Sequence, residues 1–515
     1  MAENPILRGM NPDPSICTDG KNYYIVTSTF EYFPGLKLYQ SNDLANWHLI
    51  SRPLRENQIN LRGIPDSAGV WAPSIRYFNH QFYLTYSVMN NINGVYKDLK
   101  NYLVIADKAD GEWSTPVYIG SQGFDPSIFK DDDGKFYILS QNWDYRRTYT
   151  HQPFNGILLQ KYDAKKMAVF GKEKVIWQGT PQGGTEGPSI FKKNGYYYLL
   201  TANGGSGRHH SIAVARSKHV FGPYILSPKV NLITSFNNSE DILQKSGHGN
   251  IVETATGRTY LVHLVARYLP ETETSFLGRE TAIEEINWEN NWPVLVDGND
   301  APQSKVLSLA KNPVNPLYVT NFKNGLDLSW SSLRQAPKYK ITSNGLKLYG
   351  NESLSSRFEQ ALLTKQLPSF SIDVSTVFSF KPESFRDQAG LVLYYNTENW
   401  LFFYVSYDEM TNRRIVNLQL SHNGQVIEPT NGLYFYLPEN ENIKLAFKVR
   451  NAVVATYVND KEYGRHIDIS FMSDEKVKGW GFTGTVTGIT VIDTRLKSNY
   501  AVFHNFKLSD VSSEV

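Results

Sequence analysis

The chain has 515 residues, 41% hydrophobic and 20% charged, and Lys+Arg 52 against Asp+Glu 50 leaves a net charge of +2. That length allows two to four domains, and the composition excludes general disorder. The near-neutral balance gives no electrostatic reason for a nucleic-acid partner or an acidic membrane surface.

One cysteine, Cys17, excludes an internal disulfide, a cysteine zinc cluster and an iron–sulfur centre. The longest apolar runs, such as Leu401–Val405, are strand-sized and far short of the ~20 residues of a membrane helix. Met1-Ala2-Glu3-Asn4-Pro5 lacks a charged-then-apolar leader, so a cytoplasmic protein is the expectation. The unusual figure is 13% aromatic residues, with Tyr 32 and Trp 10. Such side chains suit β-strands and the flat apolar faces of sugar rings.

In chain order, Asn11-Pro12-Asp13-Pro14-Ser15-Ile16 opens the first of five related segments. Val70-Trp71-Ala72-Pro73-Ser74-Ile75, Gly123-Phe124-Asp125-Pro126-Ser127-Ile128 and Thr185-Glu186-Gly187-Pro188-Ser189-Ile190 repeat it, and Gly247-His248-Gly249-Asn250-Ile251 is a degenerate fifth copy. After eight or nine residues four copies reach an aromatic pair, such as Tyr23-Tyr24 or Phe136-Tyr137, and the fifth reaches Thr259-Tyr260. Turn residues such as Asp19-Gly20 and Asn194-Gly195 stand between. The pattern reads as strand, tight hairpin, aromatic strand. Further strand-like runs follow at Leu36–Gln40, Tyr102–Ala106, Ile157–Lys161 and Ile212–Ala215. A unit of ~60 residues with three or four strands is the size of a propeller blade. The alternative repeat geometry, a stacked solenoid, usually has shorter units.

The expected fold is therefore all-β: a five-bladed β-propeller over 1–300, a proline-punctuated linker over 301–318, and a β-sandwich over 319–515 of jelly-roll, concanavalin-like type. The second domain is inferred from alternating runs such as Phe370–Phe380, Trp400–Tyr407 and Ala501–Leu508, with no convincing long helix.

Equivalent positions in a propeller face the same end of its channel, so the informative residues are those that vary in the repeated slot. The slot reads Asp13, Ala72, Asp125, Gly187, His248, with Glu186 one residue before the fourth member. Three carboxylates and a histidine thus approach one axis. A single Asp-Pro-Ser is ordinarily a turn cap. Three acids in register would repel one another without a use for them. The use that fits is glycoside hydrolysis, which commonly needs one protonated carboxyl and one ionised carboxylate. A third carboxylate would raise the pKa of the acid.

These segments resemble glycoside hydrolase family 43, and particularly its two-domain β-xylosidases, many of which also release α-L-arabinofuranose. The likeness is carried by Asn11–Ile16, Ser28–Gly35, Trp71–Ile75, Phe124–Phe129, Thr185–Pro188, Gly247–Asn250 and Leu277–Thr281, and it spans both domains. It implies an inverting mechanism, with Asp13 as base, Asp125 as pKa modulator and Glu186 as acid. It also implies a pocket in which Phe30 and Trp71 flank the terminal sugar, joined by Trp143. Arg279 would hydrogen-bond its hydroxyls, His248 would lie at the floor, and Phe482 in the loop Gly481–Gly484 would reach over from the sandwich. The expected substrate-binding set is Phe30, Trp71, Ala72, Trp143, His248, Arg279 and Phe482.

Alternatives stand beside these roles. Phe30 and Trp71 could be channel packing, and Arg279 could pair with Glu280 or another acid. His248 could serve a divalent cation such as calcium, or water, instead of sugar; no cofactor is otherwise expected. The segment Pro270–Phe276 is shorter than in many relatives, which leaves the rim and any homo-oligomer contacts open. Asp131-Asp132-Asp133-Gly134 fails the spacing of a calcium loop, Gly204–Gly207 lacks a phosphate-loop lysine, and His209-His210 is too little for a metal site.

The leading expectation is an exo-acting enzyme that trims xylose from xylo-oligosaccharides or arabinoxylan-derived chains. An α-L-arabinofuranosidase, or both activities in one pocket, is the second reading, and a non-catalytic sugar-binding propeller the third. An endo-arabinanase and a retaining fructan-cleaving enzyme rank lower.

Overall fold

The computed structural model describes residues 1–146, 153–238, 240–311, 317–438 and 442–512. Among them the protein is almost wholly β, with one short 3-10 turn at Glu56–Gln58. Two candidate linker prolines, Pro313 and Pro316, lie outside the described residues.

Residues Ser15 to Leu295 form five four-stranded antiparallel sheets, the blades of a propeller. Blade one comprises Ser15–Thr18, Tyr23–Thr27, Lys37–Ser41 and His48–Ser51. The other blades start with Gly69–Phe78, Ser127–Lys130, Glu186–Lys193 and Leu243–Glu253. Each proposed hairpin pairs as expected; Ser15 faces Val26, Ser127 faces Leu139 and Ser189 faces Leu200. The repeated serines join neighbouring blades around the axis. Ser15 Oγ accepts the Ile75 N–H at 3.0 Å, and Ser127 Oγ donates to the Pro188 carbonyl at 2.6 Å.

Among the described residues no strand is exchanged between the first and last blades. The ring is instead tied by a Leu7–Thr281 bridge and by Ala2–Glu3 pairing with Lys305–Val306. Part of the expected linker is therefore a strand.

The second domain is a sandwich of two large antiparallel sheets. Ile372–Phe380 alternates buried and half-buried residues, as a strand with one face on the core must. The core between the sheets holds Phe378, Leu391, Phe403, Phe447, Val491 and Phe503. One sheet runs on into the propeller, since Ser331–Leu333 pairs with Tyr32–Phe33 of blade one. The close approach of the domains also needs glycine. A Cβ on Gly278 would sit 2.6 Å from the Thr483 carbonyl oxygen, and one on Gly484 would sit 2.4 Å from that of Leu277.

Candidate active site

The five slot residues share a backbone conformation that residue identity alone does not reveal. Asp13 (φ 54°), Ala72 (35°), Asp125 (56°), Gly187 (57°) and His248 (29°) are all left-handed. For side chains other than glycine this is an uncommon and costly region, and it clusters at functional sites. In blades two, four and five the strand register shifts at this point. In those three blades the inner strand is irregular at the slot, and in blades one and three the slot residue stands just before the strand begins. Slot four admits only glycine, because a Cβ there would lie 2.9 Å from Nε2 of His248.

Beside the slots lies a cavity of about 400 Å³, within the range of small-ligand sites. All ten residues singled out from the sequence line it: Asp13, Asp125, Glu186, Phe30, Trp71, Ala72, Trp143, His248, Arg279 and Phe482.

The carboxyls stand in different environments. Ser28 Oγ donates to Asp13 Oδ2 at 2.7 Å, while Arg279 Nη1 and His248 Nδ1 stand 3.5 and 3.6 Å from Oδ1. Burial opposes the charge on Asp13, but Arg279, then His248 and the Ser28 hydroxyl, outweigh it and hold the carboxyl below its ordinary value. Glu186 has no such partners. Burial, then the charge of Asp13, pushes it up to about 8 against the pull of Arg279. Asp125 is raised well above its ordinary value by burial, then by Glu186 and Asp13, although its Oδ2 accepts the Gly187 N–H at 2.9 Å. Near neutrality, then, Asp13 is the ionised member and Glu186 holds a proton, while Asp125 is shifted toward its protonated form. Burial also lowers His248 below its ordinary value against the pull of Asp13, so its ring is neutral there.

Arg279 does not pair with Glu280, which Arg267 binds through two contacts of 2.7 Å. Its Nε and Nη2 instead donate to the Phe482 carbonyl at 3.3 and 3.0 Å, and its guanidinium lies 5.4 and 5.1 Å from the Phe30 and Phe482 ring centres. Phe30, Trp71 and Phe482 form one aromatic wall with ring centres 5.5–6.4 Å apart. Trp143 continues it through Phe124, with successive ring centres 5.7 and 5.9 Å apart. Among the described residues no group of three His, Cys, Asp or Glu side chains is set to hold a metal ion, so the cation expectation at His248 gains no support there.

Several lining residues went unnoticed in the sequence. Trp480, half-exposed at the rim, faces Phe482 at 5.7 Å. Lys97 lies 4.8 Å over Trp143 and 5.4 Å over Trp480, joining the two domains across the rim. Gly205 and Ser206, noted in the sequence only for lacking a phosphate-loop lysine, also line the cavity, and the Gly205 carbonyl is bonded to Nδ1 of the buried His210 at 2.5 Å. The one available signal was a tryptophan between glycines, Gly479-Trp480-Gly481, two residues before Phe482.

The sequence model described as "Glycosyl hydrolases family 43" matches residues 2–293, and that of the "Beta xylosidase C-terminal Concanavalin A-like domain" matches 319–509. The chain is 38% identical over 531 residues to a "Beta-xylosidase" of Bacillus subtilis (strain 168), covering 98% of this chain and 99% of that one. It is 39% identical to "Xylosidase/arabinosidase 43B" of Humicola insolens, over 98% and 96% of the two chains. Among solved structures it superimposes on the xylan beta-1,4-xylosidase from Bacillus Halodurans C-125 with a TM-score of 0.95 at 37% identity, over 99% and 100% of the chains.

Proposed function

The chain belongs to glycosyl hydrolase family 43, and we propose that it is an exo-acting, inverting β-xylosidase. Its substrates are β-1,4-xylo-oligosaccharides, from whose non-reducing ends it removes single xylose units, with α-L-arabinofuranosidase activity in the same pocket. The observation that carries this reading is the split among three carboxyls in one cavity, Asp13 held down and Glu186 and Asp125 pushed up.

In this reading Glu186 gives its proton to the glycosidic oxygen as the bond to the anomeric carbon breaks, and that oxygen leaves as a hydroxyl. Asp13 takes a proton from the water that attacks the opposite face, so configuration inverts. Burial and the charge of Asp13 keep Glu186 protonated, and Asp125, raised beside them, is the third carboxyl to which the pKa-modulating role falls. Arg279 and the Ser28 hydroxyl, both beside Asp13, keep it ionised. The aromatic wall supplies the apolar surface on which a sugar ring packs. The chemistry uses no cofactor.

The names of the relatives support the sugar class, and the cover that Trp480 and Phe482 form over the cavity supports single-unit release. Xylohexaose tests it: xylose and the five-unit product should appear together, ahead of any shorter product. Early xylobiose and xylotriose without free xylose would overturn the pocket reading. Parallel rates on nitrophenyl α-L-arabinofuranoside fix the order of the two activities.

A further inference from the structure

The aromatic wall is assembled from three distant stretches of chain, and one buried serine touches two of them. Ser67 is 1% exposed and has a left-handed backbone, φ 62°. Its carbonyl accepts the indole N–H of Trp71 at 3.0 Å. Its Oγ accepts the backbone N–H of Phe482 at 3.1 Å, across 415 residues of sequence. Its own N–H donates to Glu31 Oε2 at 3.0 Å, and Glu31 is the neighbour of Phe30. All three rings of the wall are thereby referred to one residue that does not itself line the cavity.

The mount under Ser67 is shared by both domains. Arg334 of the sandwich donates its N–H to the Glu31 carbonyl at 2.8 Å, its Nε to the Ile64 carbonyl and its Nη2 to Asp66 Oδ1, both at 2.7 Å. Thr397, also of the sandwich, donates its N–H to Asp66 Oδ2 at 3.3 Å. Ile64 and Asp66, just before Ser67, are thus held by the sandwich. Glu31 is fully buried, and its Oε1 has no hydrogen-bond partner among the described residues. Burial, then Asp66, pushes its carboxyl up to about 8 against Arg334, so near neutrality it holds a proton. A buried, strained arrangement of this kind persists only where the surroundings over-determine it.

We infer that Ser67 is a positioning residue for the terminal-sugar subsite: its hydroxyl sets the sandwich loop so that the Phe482 ring closes the wall begun by Phe30 and Trp71. Phe482 is then held at both ends of its peptide unit, its N–H by Ser67 and its carbonyl by Arg279. The sandwich matters to the reaction through the registration of this one loop, beyond merely covering the pocket. The inference rests on the xylosidase reading, since it concerns the sugar that the wall receives.

Ser67→Ala removes the Oγ acceptor and keeps the backbone carbonyl that Trp71 uses. Ser67→Gly removes the same oxygen and relaxes the left-handed backbone. With nitrophenyl β-xyloside, each variant should raise KM about two- to tenfold, the worth of one net hydrogen bond, with kcat within about twofold. The glycine variant should melt no lower than the wild type. In a Phe482→Ala background, Ser67→Ala should have no further effect on KM, because the ring it places is gone. Effects that multiply in the double variant, or a fall in melting temperature with KM unchanged, would overturn the inference. Failure of the wild-type enzyme to turn over the xyloside would instead sink the xylosidase reading, and the two failures are told apart by that control.

Discussion

Replacing Glu186 with Gln isolates the proton that the leaving group needs. Glu186 is raised from an ordinary 4.5 to about 8 by burial and then by Asp13. At pH 6 a carboxyl titrating there is ~99% protonated, against ~3% at its ordinary value, so the environment increases the acid form about thirtyfold. The amide keeps the shape and cannot donate the proton. General acid help is worth ~10²–10⁴-fold, about 3–5 kcal/mol of barrier, and xylobiose cleavage should fall by that much. A nitrophenolate leaves with little protonation, so loss on nitrophenyl xyloside should be about tenfold or less. The pH profile gives the second sign. Because the acid must be protonated, wild-type kcat/KM on xylobiose should fall as pH rises through about 8. That alkaline limb should vanish from the residual activity of the Gln variant. Because Asp13 must be ionised and sits below its ordinary value, the acid limb should fall below the usual carboxylate range. Equal losses on the two substrates, or an alkaline limb that survives in the variant, would refute the assignment of Glu186 as the acid.

Asp13→Ala should cost ~10²–10⁴-fold on both substrates alike, since water must be activated whatever leaves; initial α-xylose seen by proton NMR should accompany wild-type turnover, and initial β-xylose would mean retention. Gly278→Ala places a Cβ 2.6 Å from the Thr483 carbonyl at φ 78°. It should cost ~1–3 kcal/mol of seating between the domains, read as a lower melting temperature with a raised KM, and no change in either would show the close approach to be dispensable. A chain ending at Pro302 loses Phe482, Trp480 and the Ser331–Leu333 strand that covers Tyr32–Phe33; it should be insoluble or nearly inactive, and full activity on xylobiose in a soluble product would show the sandwich to be an appendage.

Local order was legible along the chain because it repeats. The Pro-Ser-Ile echo in four copies and its degenerate Gly-Asn-Ile fifth marked five hairpins, and the variable position before the proline, or before Gly249 in the fifth, singled out Asp13, Asp125 and His248 without any coordinates. Alternation marked the sandwich strands, mostly within two or three residues of their ends. Three things lay beyond that reading. The left-handed backbone shared by all five slots could not be read from their identities, which run from Asp and His through Ala to Gly. The opposed protonation of Asp13 and Glu186 depends on burial and on which of them meets Arg279 and Ser28, so the physical cause of the base and acid roles that the resemblance implied appears only in the folded chain. The pocket wall joins Ser67 to Phe482 across 415 residues. Periodicity and turn chemistry act over a few residues and can be read from the sequence alone. Desolvation and long-range contact are properties of the assembled interior, and only the tertiary structure decides them.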